Sequence, residues 1–353
     1  PAPDTRTEGP AITWTMPPET APQDRIWMSF PRAWNGVEET ATEREAAYKA
    51  WTAVAHAIAE FEPVSMLVDP SETARARNML GSGIDQIGRV LDDYWLRDSG
   101  PTFVHAADGS LAAVDWIFNG WGGNIPTGYQ NDKGLAAFIA GLLGVPVIPS
   151  LLVNEGGGIH VDGEGTILLT ETVQLGQGRN PHADAARVEA EMARTLGTEK
   201  VIWLKRGLTR DYGTFGTLGH VDIVACFPAP GKVLIHDQRD PSHPDHAVTA
   251  EVRAILSEAT DAKGRKLEII PVPAPKTLKD AEGFVDYSYI NHLAVNGGVI
   301  ACGFGEDYAD AQAREILSAA YLGRRVVTVD AREIFARGGG IHCITQQQPK
   351  ART

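Results

Sequence analysis

RGGGIHCITQQQP, residues 337–349, contains a pentapeptide, GGGIH, that also occurs in NEGGGIHVDGEGT, residues 154–166. The first copy is followed by Val161 and the second by Cys343. A glycine-rich turn that recurs at a distance within one chain is a sign of internal structural repetition. We therefore expect repeated structural units, with Cys343 as the position at which one unit differs from another.

The segments around these turns predict a repeated unit of two strands, a helix and a third strand. Pairs of apolar runs around a glycine-containing turn predict hairpins in TFVHAADGSLAAVDWIF, IHVDGEGTILLTE and VDIVACFPAPGKVLIHD. Apolar spacing that stops at a glycine predicts helices in DKGLAAFIAGLLG, ADAARVEAEMARTLG and EDYADAQAREILSAAYLG. A short apolar strand is predicted after each helix, in VPVIPS, VIWLK and RVVTVD.

One more helix is predicted near the N-terminal end, in ATEREAAYKAWTAVAHAIAEF. Its apolar stripe at helical spacing consists of Ala47, Trp51, Val54, Ala55 and Ile58. Alternating strands and helices are typical of α/β proteins. The hairpin that precedes most of the helices distinguishes this unit from that of a simple doubly wound sheet.

A polar or reactive residue stands where the first strand of each unit is expected to begin. The five residues are Asp98, Glu155, His220, Asn296 and Cys343. Their spacing is too irregular for a solenoid array, and repetition of drifting length favours a closed pseudo-symmetric ring. In such a ring the first strands start near the central axis, so we expect the five distant residues to converge.

Composition restricts the possible partners of the protein. The chain has 353 residues, of which 43% are hydrophobic, and this is enough for a large core. The net charge of −13 argues against nucleic-acid binding, because phosphates are neutralised by clustered Lys and Arg. No apolar run approaches the roughly 20 residues that span a membrane. An acidic protein suits a cationic ligand, although acidity more commonly serves solubility.

The ends of the chain and its cysteines complete the expected organisation. Residues 1–12 lack the basic and apolar regions of a signal peptide and are interpreted as a flexible lead-in. Residues 13–349 are interpreted as a single catalytic domain and residues 350–353 as a C-terminal tail. Three cysteines that lie far apart fit a reducing cytoplasm better than a disulfide framework.

A single cysteine, a histidine and several carboxylates suggest a nucleophilic site. Cys343 would be the nucleophile, His220 its acid–base partner and the carboxylates a clamp for a cation. The alternative is that a free cysteine only packs in the core, and the apolar surroundings of Cys226 and Cys302 fit that role. Cys343 fits it less well, because three glycines stand shortly before it and QQQP follows.

Metal binding and purely structural roles are the other interpretations of these residues. His220 and Asp222 are two positions apart, which would place them on the same face of a strand. They could be a metal pair with Glu155 or Asp98 as further ligands, but no HExxH or CxxC arrangement supports a metal site. Asp98 could also only cap a turn before Gly-Pro, and Glu155 could be a surface carboxylate.

The motifs DDYWLRDSGPTFV, DWIFNGWGG, EGGGIHVDGEGTILLTE, GRNP, GHVD and GGGIHCITQQQP occur here in that order. Together they resemble the agmatine deiminases and the related bacterial-type peptidylarginine deiminases, members of the guanidine-modifying (pentein) superfamily. The resemblance extends from about residue 13 to residue 349. It implies a five-bladed pseudo-symmetric α/β-propeller of ββαβ units, which agrees with the five units counted above.

The resemblance also implies a role for individual residues and a set of partners. A small cationic guanidino substrate would be bound without a metal or organic cofactor, and a homodimer is possible. The implied catalytic residues are the nucleophile Cys343, the general acid and base His220, and the guanidinium-binding pair Asp98 and Asp222. The implied substrate-binding residues are Glu155, Trp95, Asp93 and Trp121.

The chemistry of a guanidinium explains this choice of residue types. The group is planar, always charged and a poor electrophile, and its N–H groups match carboxylates in paired hydrogen bonds. A cysteine thiolate is nucleophilic enough to attack the central carbon. His220 would protonate the departing ammonia and then activate the water that hydrolyses the S-alkylthiouronium intermediate. Agmatine would give N-carbamoylputrescine and ammonia.

The sequence departs from the family pattern beside the predicted catalytic histidine. Agmatine deiminases usually carry Asp-Thr-x-Gly-His, whereas here the five residues run from Gly216 to His220, so the acidic residue is missing. Nearby Arg210 could instead suit a substrate carboxylate. Free L-arginine or a peptidylarginine, giving a citrulline product, is therefore the alternative to agmatine. An amidinotransferase and a non-catalytic propeller that binds cations are the remaining interpretations.

Overall fold

A computed structural model describes residues 13–33, 39–125 and 128–352 of the chain. The predicted lead-in, residues 1–12, lies outside this part. The fold is mixed α/β. Its strands are β1 (Trp14–Thr15), β2 (Gln23–Ser29), β3 (Val64–Val68), β4 (Asp85–Gly88), β5 (Thr102–Ala106), β6 (Leu111–Ile117), β7 (Val147–Val153), β8 (His160–Val161), β9 (Thr166–Thr170), β10 (Lys200–Leu204), β11 (Ala225–Ala229), β12 (Lys232–Asp237), β13 (Glu268–Pro273), β14 (Lys279–Asp280), β15 (Gly283–Phe284), β16 (Leu293–Val295), β17 (Gly298–Gly303), β18 (Arg325–Asp330) and β19 (Thr345–Pro349).

Helices alternate with these strands. The α-helices are α1 (Ala41–Ala59), α2 (Thr73–Leu80), α3 (Leu96–Ser99), α4 (Gly120–Gly123), α5 (Leu135–Leu143), α6 (Glu171–Gln174), α7 (Ala185–Leu196), α8 (Asp245–Glu258), α9 (Asp307–Ala320) and α10 (Arg332–Phe335). The 3₁₀ turns are Pro70–Glu72, Asp132–Gly134, Gly156–Gly158, Thr209–Tyr212 and Val221–Ile223. Within the described residues, no helix is long and apolar enough to cross a membrane.

The predicted ββαβ unit is present in four sheets, and the small β14–β15 hairpin lies between the third and the fourth of them. In each, an antiparallel hairpin is followed by a helix and by a strand parallel to the second hairpin strand. The hairpins are β5–β6, β8–β9, β11–β12 and β16–β17, and the third strands are β7, β10, β13 and β18. The helices between them are α5, α7, α8 and α9. The hairpins, helices and third strands quoted from the sequence are therefore confirmed.

A fifth sheet has the same topology but is built from both ends of the chain. β19 pairs antiparallel with β2, with Thr345 opposite Met28, and β3 lies parallel to β2 after α1. The first strand of this unit therefore comes from the C-terminal end and the remainder from the N-terminal end. Cys343 lies two residues before β19, at the place where the two ends of the chain meet.

Helix α1 shows how the sequence specifies the inner faces of the units. Thr40 and Glu43 form a reciprocal capping box that binds two otherwise unpaired N–H groups at the start of the helix. All members of the predicted apolar stripe are buried, and Trp51 is fully inaccessible. Burial of one such large apolar side chain stabilises the fold by about 1.5–3 kcal/mol.

The predicted helix ends are confirmed in two cases and wrong in one. Gly144 after α5 and Gly197 after α7 adopt the left-handed conformation that a glycine cap requires. Helix α9, in contrast, ends at Ala320, before the expected Gly323. Tyr321, the first residue after the helix, has left the helical conformation and is buried, with its hydroxyl 2.7 Å from Nε2 of His292.

Two predictions about the starts of first strands are corrected by the structure. Residues 221–223 after His220 form a 3₁₀ turn, not a strand, and β11 begins only at Ala225. Asn296 lies in the turn between β16 and β17, where its Nδ2 donates to the carbonyl of Gln23 at 2.9 Å and to Glu62 at 2.6 Å. Asn296 is thus part of a hairpin turn and not a member of the predicted group of converging residues.

Candidate active site

The first GGGIH copy forms a floor on which three of the predicted site residues meet. A Cβ atom on Gly157 would lie 2.5 Å from Nδ1 of His220, 2.9 Å from Oδ1 of Asp98 and 3.0 Å from Oδ2 of Asp222. Such distances exclude any side chain, so the backbone must be glycine to allow this approach. Residues from two different units, Asp98 from one and His220 and Asp222 from another, therefore converge at a glycine of a third unit.

The second copy has the same role around the thiol. A Cβ atom on Gly339 would lie 2.9 Å from Sγ of Cys343 and 2.9 Å from the Trp95 ring, and one on Gly340 would lie 2.5 Å from Oδ1 of Asn291. Each glycine run thus makes room for polar or reactive side chains that pack closely against its backbone. This common steric demand explains why the chain carries the same turn twice.

Cys343 lies at the end of the second turn and is 4% exposed. The side-chain amide of Asn291 donates to its Sγ at 3.2 Å, and Oδ2 of Asp222 lies 3.5 Å from the same sulfur. Burial, followed by the negative charges of Asp222 and Asp98, raises the pKa of Cys343 well above its usual range. The thiol is therefore protonated in the substrate-free protein, and a cation placed between the carboxylates would lower its pKa.

His220 lies between two carboxylates. Its Nε2 is 3.1 Å from Oε2 of Glu155, and its Nδ1 is 3.8 Å from Oδ1 of Asp98 and has no hydrogen-bond partner among the described residues. Burial by itself would lower the pKa of His220, but the charges of Asp98 and Glu155 raise it to about 9. The imidazole is consequently a cation at neutral pH and can donate a proton.

Glu155 is completely buried and is held by two partners. Nε of Arg179 lies 3.0 Å from both carboxylate oxygens, and His220 contacts the same group. Burial alone would raise the pKa of Glu155, but the charge of Arg179 and the hydrogen bond from His220 lower it. Glu155 thus stays ionised and orients His220, whereas the prediction from sequence placed it among the substrate-binding residues.

Asp98 belongs to the short helix α3 and has both oxygens bound. Its Oδ2 accepts from Nε1 of Trp121 at 2.8 Å and its Oδ1 from the backbone of Gly157 at 2.9 Å. Burial raises the pKa of Asp98 to about 6, with further contributions from Asp222 and Glu155 that the charge of His220 partly offsets. Trp121 has a φ of 55°, a strained conformation for a non-glycine residue that directs its indole to this carboxylate.

Asp222 connects the thiol with a second histidine. Its Oδ2 lies 2.8 Å from Nδ1 of His342, and its Oδ1 has no hydrogen-bond partner among the residues that the structure describes. Burial would raise the pKa of Asp222, but the hydrogen bond and charge of His342 outweigh this effect and lower it. Asp222 is therefore an anion beside the neutral Cys343 thiol.

The histidines of the two GGGIH copies meet at one buried carboxylate. Glu19 lies 2.7 Å from Nε2 of His342 in the second copy and 3.8 Å from Nε2 of His160 in the first. The guanidinium of Arg97 is 3.7 Å from the same carboxylate. Burial alone would raise the pKa of Glu19, but the two histidines hold it well below its usual range. Glu19 thus compensates the positive charges beneath the site.

Glu19→Gln is expected to destabilise the protein at neutral pH by about 3–5 kcal/mol, because removal of one partner leaves buried positive charges uncompensated. The pKa of Glu19 is lower in the folded protein than its ordinary value of 4.5. Its contribution is therefore complete above that value and is lost as the pH falls through the folded-state pKa. Thermal unfolding of the wild type and of Glu19→Gln at pH 7.5 and at pH 2.5, well below the ordinary pKa of a glutamate, checks this. An equal difference at both pH values would contradict it.

A cavity of about 360 Å³ opens above Cys343. Its walls carry many more carboxylates than cations, and this suits a positively charged ligand. The acidic residues that line it are Glu39, Glu43, Asp98, Asp211, Glu282, Asp286 and Glu333. The lining cations are Arg210 and Arg337, and the lining aromatic residues include Tyr94, Trp95, Trp121 and Phe335.

The remaining predicted substrate-binding residues have different positions. Trp95 and Trp121 line the cavity. Arg210 also lines it, but its guanidinium binds Asp280 at 2.7 Å and Glu282 at 3.0 Å. Arg210 is therefore not free to bind a substrate carboxylate. Asp93 lies outside the cavity lining, and its carboxylate accepts a hydrogen bond from the backbone of Tyr94.

Several residues of the site were not found from the sequence. They are Asn291, Arg179, His342, Glu19 and Arg97. The signal for His342 was the repeated pentapeptide itself, whose last residue is a histidine in both copies. Within the ranges that the structure covers, no group of three His, Cys, Asp or Glu side chains has the arrangement of a metal site.

Comparison with known proteins agrees with this geometry. The sequence model of the Porphyromonas-type peptidyl-arginine deiminase family matches residues 15–349. The chain belongs to this family. The resemblance drawn from the motifs is thereby confirmed.

Relatives and solved structures from several bacteria are similar along nearly the whole chain. A relative from Streptomyces coelicolor is 54% identical over 340 residues, covering 96% of this chain and 100% of the relative. The agmatine deiminase of Ectopseudomonas mendocina is 40% identical over 360 residues, covering 95% of each. The solved agmatine deiminase of Enterococcus faecalis superimposes with a TM-score of 0.89 at 34% identity, covering 96% of this chain and 97% of that one.

Proposed function

We propose that this protein hydrolyses agmatine to N-carbamoylputrescine and ammonia through a covalent intermediate on Cys343. The observation that carries the proposal is the convergence of Cys343, His220, Asp98 and Asp222 at the two glycine turns, below an acidic cavity. Family relatives that bear the name agmatine deiminase support it.

The fold proposed for this activity is a closed five-bladed α/β-propeller. Five sheets of common topology would be its blades, and the pairing of β19 with β2 would close the ring by joining the chain ends in one blade. A pseudo-fivefold axis through the site accounts for the approach of residues as distant in sequence as Asp98 and Cys343.

Substrate binding would activate the nucleophile. A guanidinium held by Asp98 and Asp222 brings a positive charge next to Sγ of Cys343 and offsets the carboxylates that raise the thiol pKa. The thiol proton is released to solvent and the thiolate attacks the central guanidinium carbon. Because the substrate supplies the charge, the nucleophile is formed only when there is something to attack.

His220 would supply the proton transfers. As a cation it protonates one amino nitrogen of the tetrahedral intermediate, and ammonia departs to leave the S-alkylthiouronium. The now neutral imidazole takes a proton from water as the water oxygen bonds to the same carbon. The C–S bond then breaks, which returns the thiolate and releases one proton and a product whose ureido group is neutral.

The charges of the cavity favour agmatine over arginine. The carboxylates along its walls suit the ammonium of agmatine, and they repel the α-carboxylate of arginine. Arg210, the cation that could bind such a carboxylate, already binds two acidic side chains. This arrangement supports agmatine as substrate and disfavours free L-arginine.

Ammonia release from agmatine, L-arginine and an Nα-blocked arginine amide tests the proposal. Agmatine is expected to have the highest kcat/KM, and mass spectrometry should find N-carbamoylputrescine as the product. Product formation without added amine identifies a hydrolase, whereas a requirement for an amine acceptor would identify an amidinotransferase. Absence of ammonia release from all three compounds would disprove a deiminase.

Iodoacetamide is expected to inactivate the enzyme slowly at pH 7 and progressively faster as the pH rises, because the raised pKa of Cys343 limits the thiolate fraction. Agmatine should protect, since it occupies the space above the sulfur. The measurement is the inactivation rate between pH 7 and pH 10, with the alkylated peptide identified by mass spectrometry. Inactivation independent of pH would mean that the thiolate is already formed in the free enzyme.

A chelator provides the matching control. EDTA is expected to leave ammonia release unchanged, because the proposed chemistry is carried by side chains alone. Stoichiometric zinc that is lost together with activity would contradict the cysteine mechanism and favour a metallohydrolase.

A further inference from the structure

Asp286 lies on the cavity wall in the segment between β15 and β16, five residues before Asn291. The residue is 6% exposed. Among the described residues it has no ion pair and no hydrogen bond to another side chain, and the hydrogen bond to its carboxylate comes from its own backbone. A buried carboxylate that faces a cavity without a partner is costly unless a ligand compensates it.

The family motif would place an acidic residue at Gly216 instead, but the loop has no room for one. A Cβ atom at this position would lie 2.0 Å from the backbone oxygen and 2.4 Å from the carbonyl carbon of Asp211. Contact with backbone atoms at this distance cannot be relieved by rotating a side chain. Position 216 therefore cannot supply the missing charge while the loop follows its present path.

Asp211, an acidic residue beside this loop, already uses its carboxylate to bind the loop backbone. Its carboxylate accepts from the backbone of Thr217 at 2.7 Å, of Gly219 at 2.8 Å and of His220 at 3.0 Å. These bonds fix the segment that leads to His220. Asp211 thus has a structural function that a ligand would have to disrupt.

Most of the other carboxylates on the cavity wall also have partners. Glu282 binds Arg210 at 3.0 Å, and Glu43 caps helix α1. Glu39 and Glu333 both bind Arg337. Asp98 is bound at both oxygens within the proposed guanidinium site. Asp286 is the carboxylate of the described lining that is both buried and unpaired.

The electrostatic surroundings of Asp286 fit a cation in the same place. Burial, with a further contribution from Asp211, raises the pKa of Asp286 to about 7, while the charge of Arg210 lowers it. An ammonium group at this position would stabilise the ionised carboxylate. Ligand and carboxylate would then form a charge-assisted hydrogen bond in a buried setting.

We propose that Asp286 binds the terminal ammonium of the substrate and thereby selects alkylguanidines that carry a second positive charge. The inference rests on the proposed deiminase function and names the group that recognises the tail of its substrate. Asp286, which belongs to a different unit, would take the place of the acidic residue that the family motif has at position 216. Asp286 would thus make the enzyme discriminate against substrates whose tail is uncharged.

Asp286→Asn keeps the shape of the side chain and removes its charge. Its kcat/KM for agmatine is expected to fall by about 30-fold or more, mostly through KM, because a buried charge pair is lost. The kcat/KM for 1-butylguanidine, which ends in a methyl group, is expected to change by less than about threefold, since that tail makes no charged contact. The ratio of the two values is the measurement.

Glu62→Gln is the matched control. Glu62 is likewise buried, with a pKa raised to about 7 by burial, but it is bound to Asn296 away from the cavity. This variant should leave the ratio of the two substrates unchanged. Equilibrium binding of agmatine and butylguanidine to Cys343→Ser and to the double variant with Asp286→Asn gives the same comparison without turnover.

The outcomes separate this assignment from the proposed function. If the wild-type protein releases ammonia from neither compound, the deiminase function is wrong. If the wild type deiminates agmatine but Asp286→Asn changes kcat/KM equally for both compounds, or for neither, Asp286 does not bind the substrate ammonium. Selective loss with agmatine, in turnover or in binding, supports the assignment.

Discussion

Cys343→Ser is expected to lower kcat for ammonia release by about four orders of magnitude or more. A serine hydroxyl is a far weaker nucleophile than a thiolate at neutral pH, and a bound guanidinium cannot ionise it to a useful extent. The hydroxyl is close in size to the thiol, so the hydrogen bond from Asn291 and the cavity should persist. Agmatine should therefore still bind, with a Kd within about tenfold of the wild-type KM.

Cys226→Ser provides the control for the loss of a buried thiol. Cys226 is buried in β11, and burial raises its pKa as it does that of Cys343, but its sulfur does not line the cavity. This variant should retain most of the wild-type turnover. Ammonia release near the wild-type rate by Cys343→Ser, or an equal loss in both variants, would disprove the nucleophile assignment.

The repeated unit could be predicted from the sequence because its signals are local. Apolar periodicity, turns and glycine caps specify each hairpin and helix without information about its neighbours. The stripe of α1 and the glycines after α5 and α7 are confirmed for this reason. The pentapeptide repeat predicted both glycine turns of the site and indicated Cys343 as the residue that differs between them.

The contacts between units could not be predicted in the same way. Asn291 and Asn296 lie beyond opposite ends of β16, and which of them contacts the thiol depends on how this unit packs against the one that carries Cys343. Glu19 is separated from His342 by most of the chain, and its role follows from the meeting of the chain ends. Such contacts depend on how the units are arranged in space, and periodicity carries no information about that.

The replacement of a missing charge is a related case. Gly216 indicated from the sequence that the usual acid was absent, and Arg210 suggested a different substrate. The structure shows that Arg210 is bound by two carboxylates and that Asp286 contributes a carboxylate from another unit. A sequence motif can show that a charged group is missing from its usual position, but it cannot show that a residue distant in sequence takes its place.

Asp98→Asn and Asp222→Asn are both expected to lower kcat/KM for agmatine by roughly 30- to 4,000-fold. Each substitution keeps the side-chain shape and removes one negative charge from the proposed guanidinium clamp. A charge-assisted pair with the substrate is lost, and the desolvated cation is left under-compensated. Ammonia release at several substrate concentrations provides the measurement.

Their effects on stability should differ, because the two carboxylates have different partners. Ionised Asp98 costs stability as the pH rises from the ordinary pKa of 3.8 to about 6, since the folded protein favours its protonated form. Asp98→Asn removes this cost but loses one acceptor, facing either Trp121 or Gly157. The melting temperature at pH 7.5 is therefore expected to change little.

Asp222→Asn should instead destabilise the protein at pH 7.5, by about 3–5 kcal/mol, because His342 loses the anion that it binds at 2.8 Å. The pKa of Asp222 is lowered in the fold, so its stabilisation exists above the ordinary value of 3.8 and disappears as the pH falls through the folded pKa. Wild type and variant should thus converge in acid. If Asp98→Asn melts much lower yet keeps wild-type turnover when folded, Asp98 only caps a turn. If Asp222→Asn keeps both its melting temperature and its turnover, neither the ion pair with His342 nor the clamp depends on that charge.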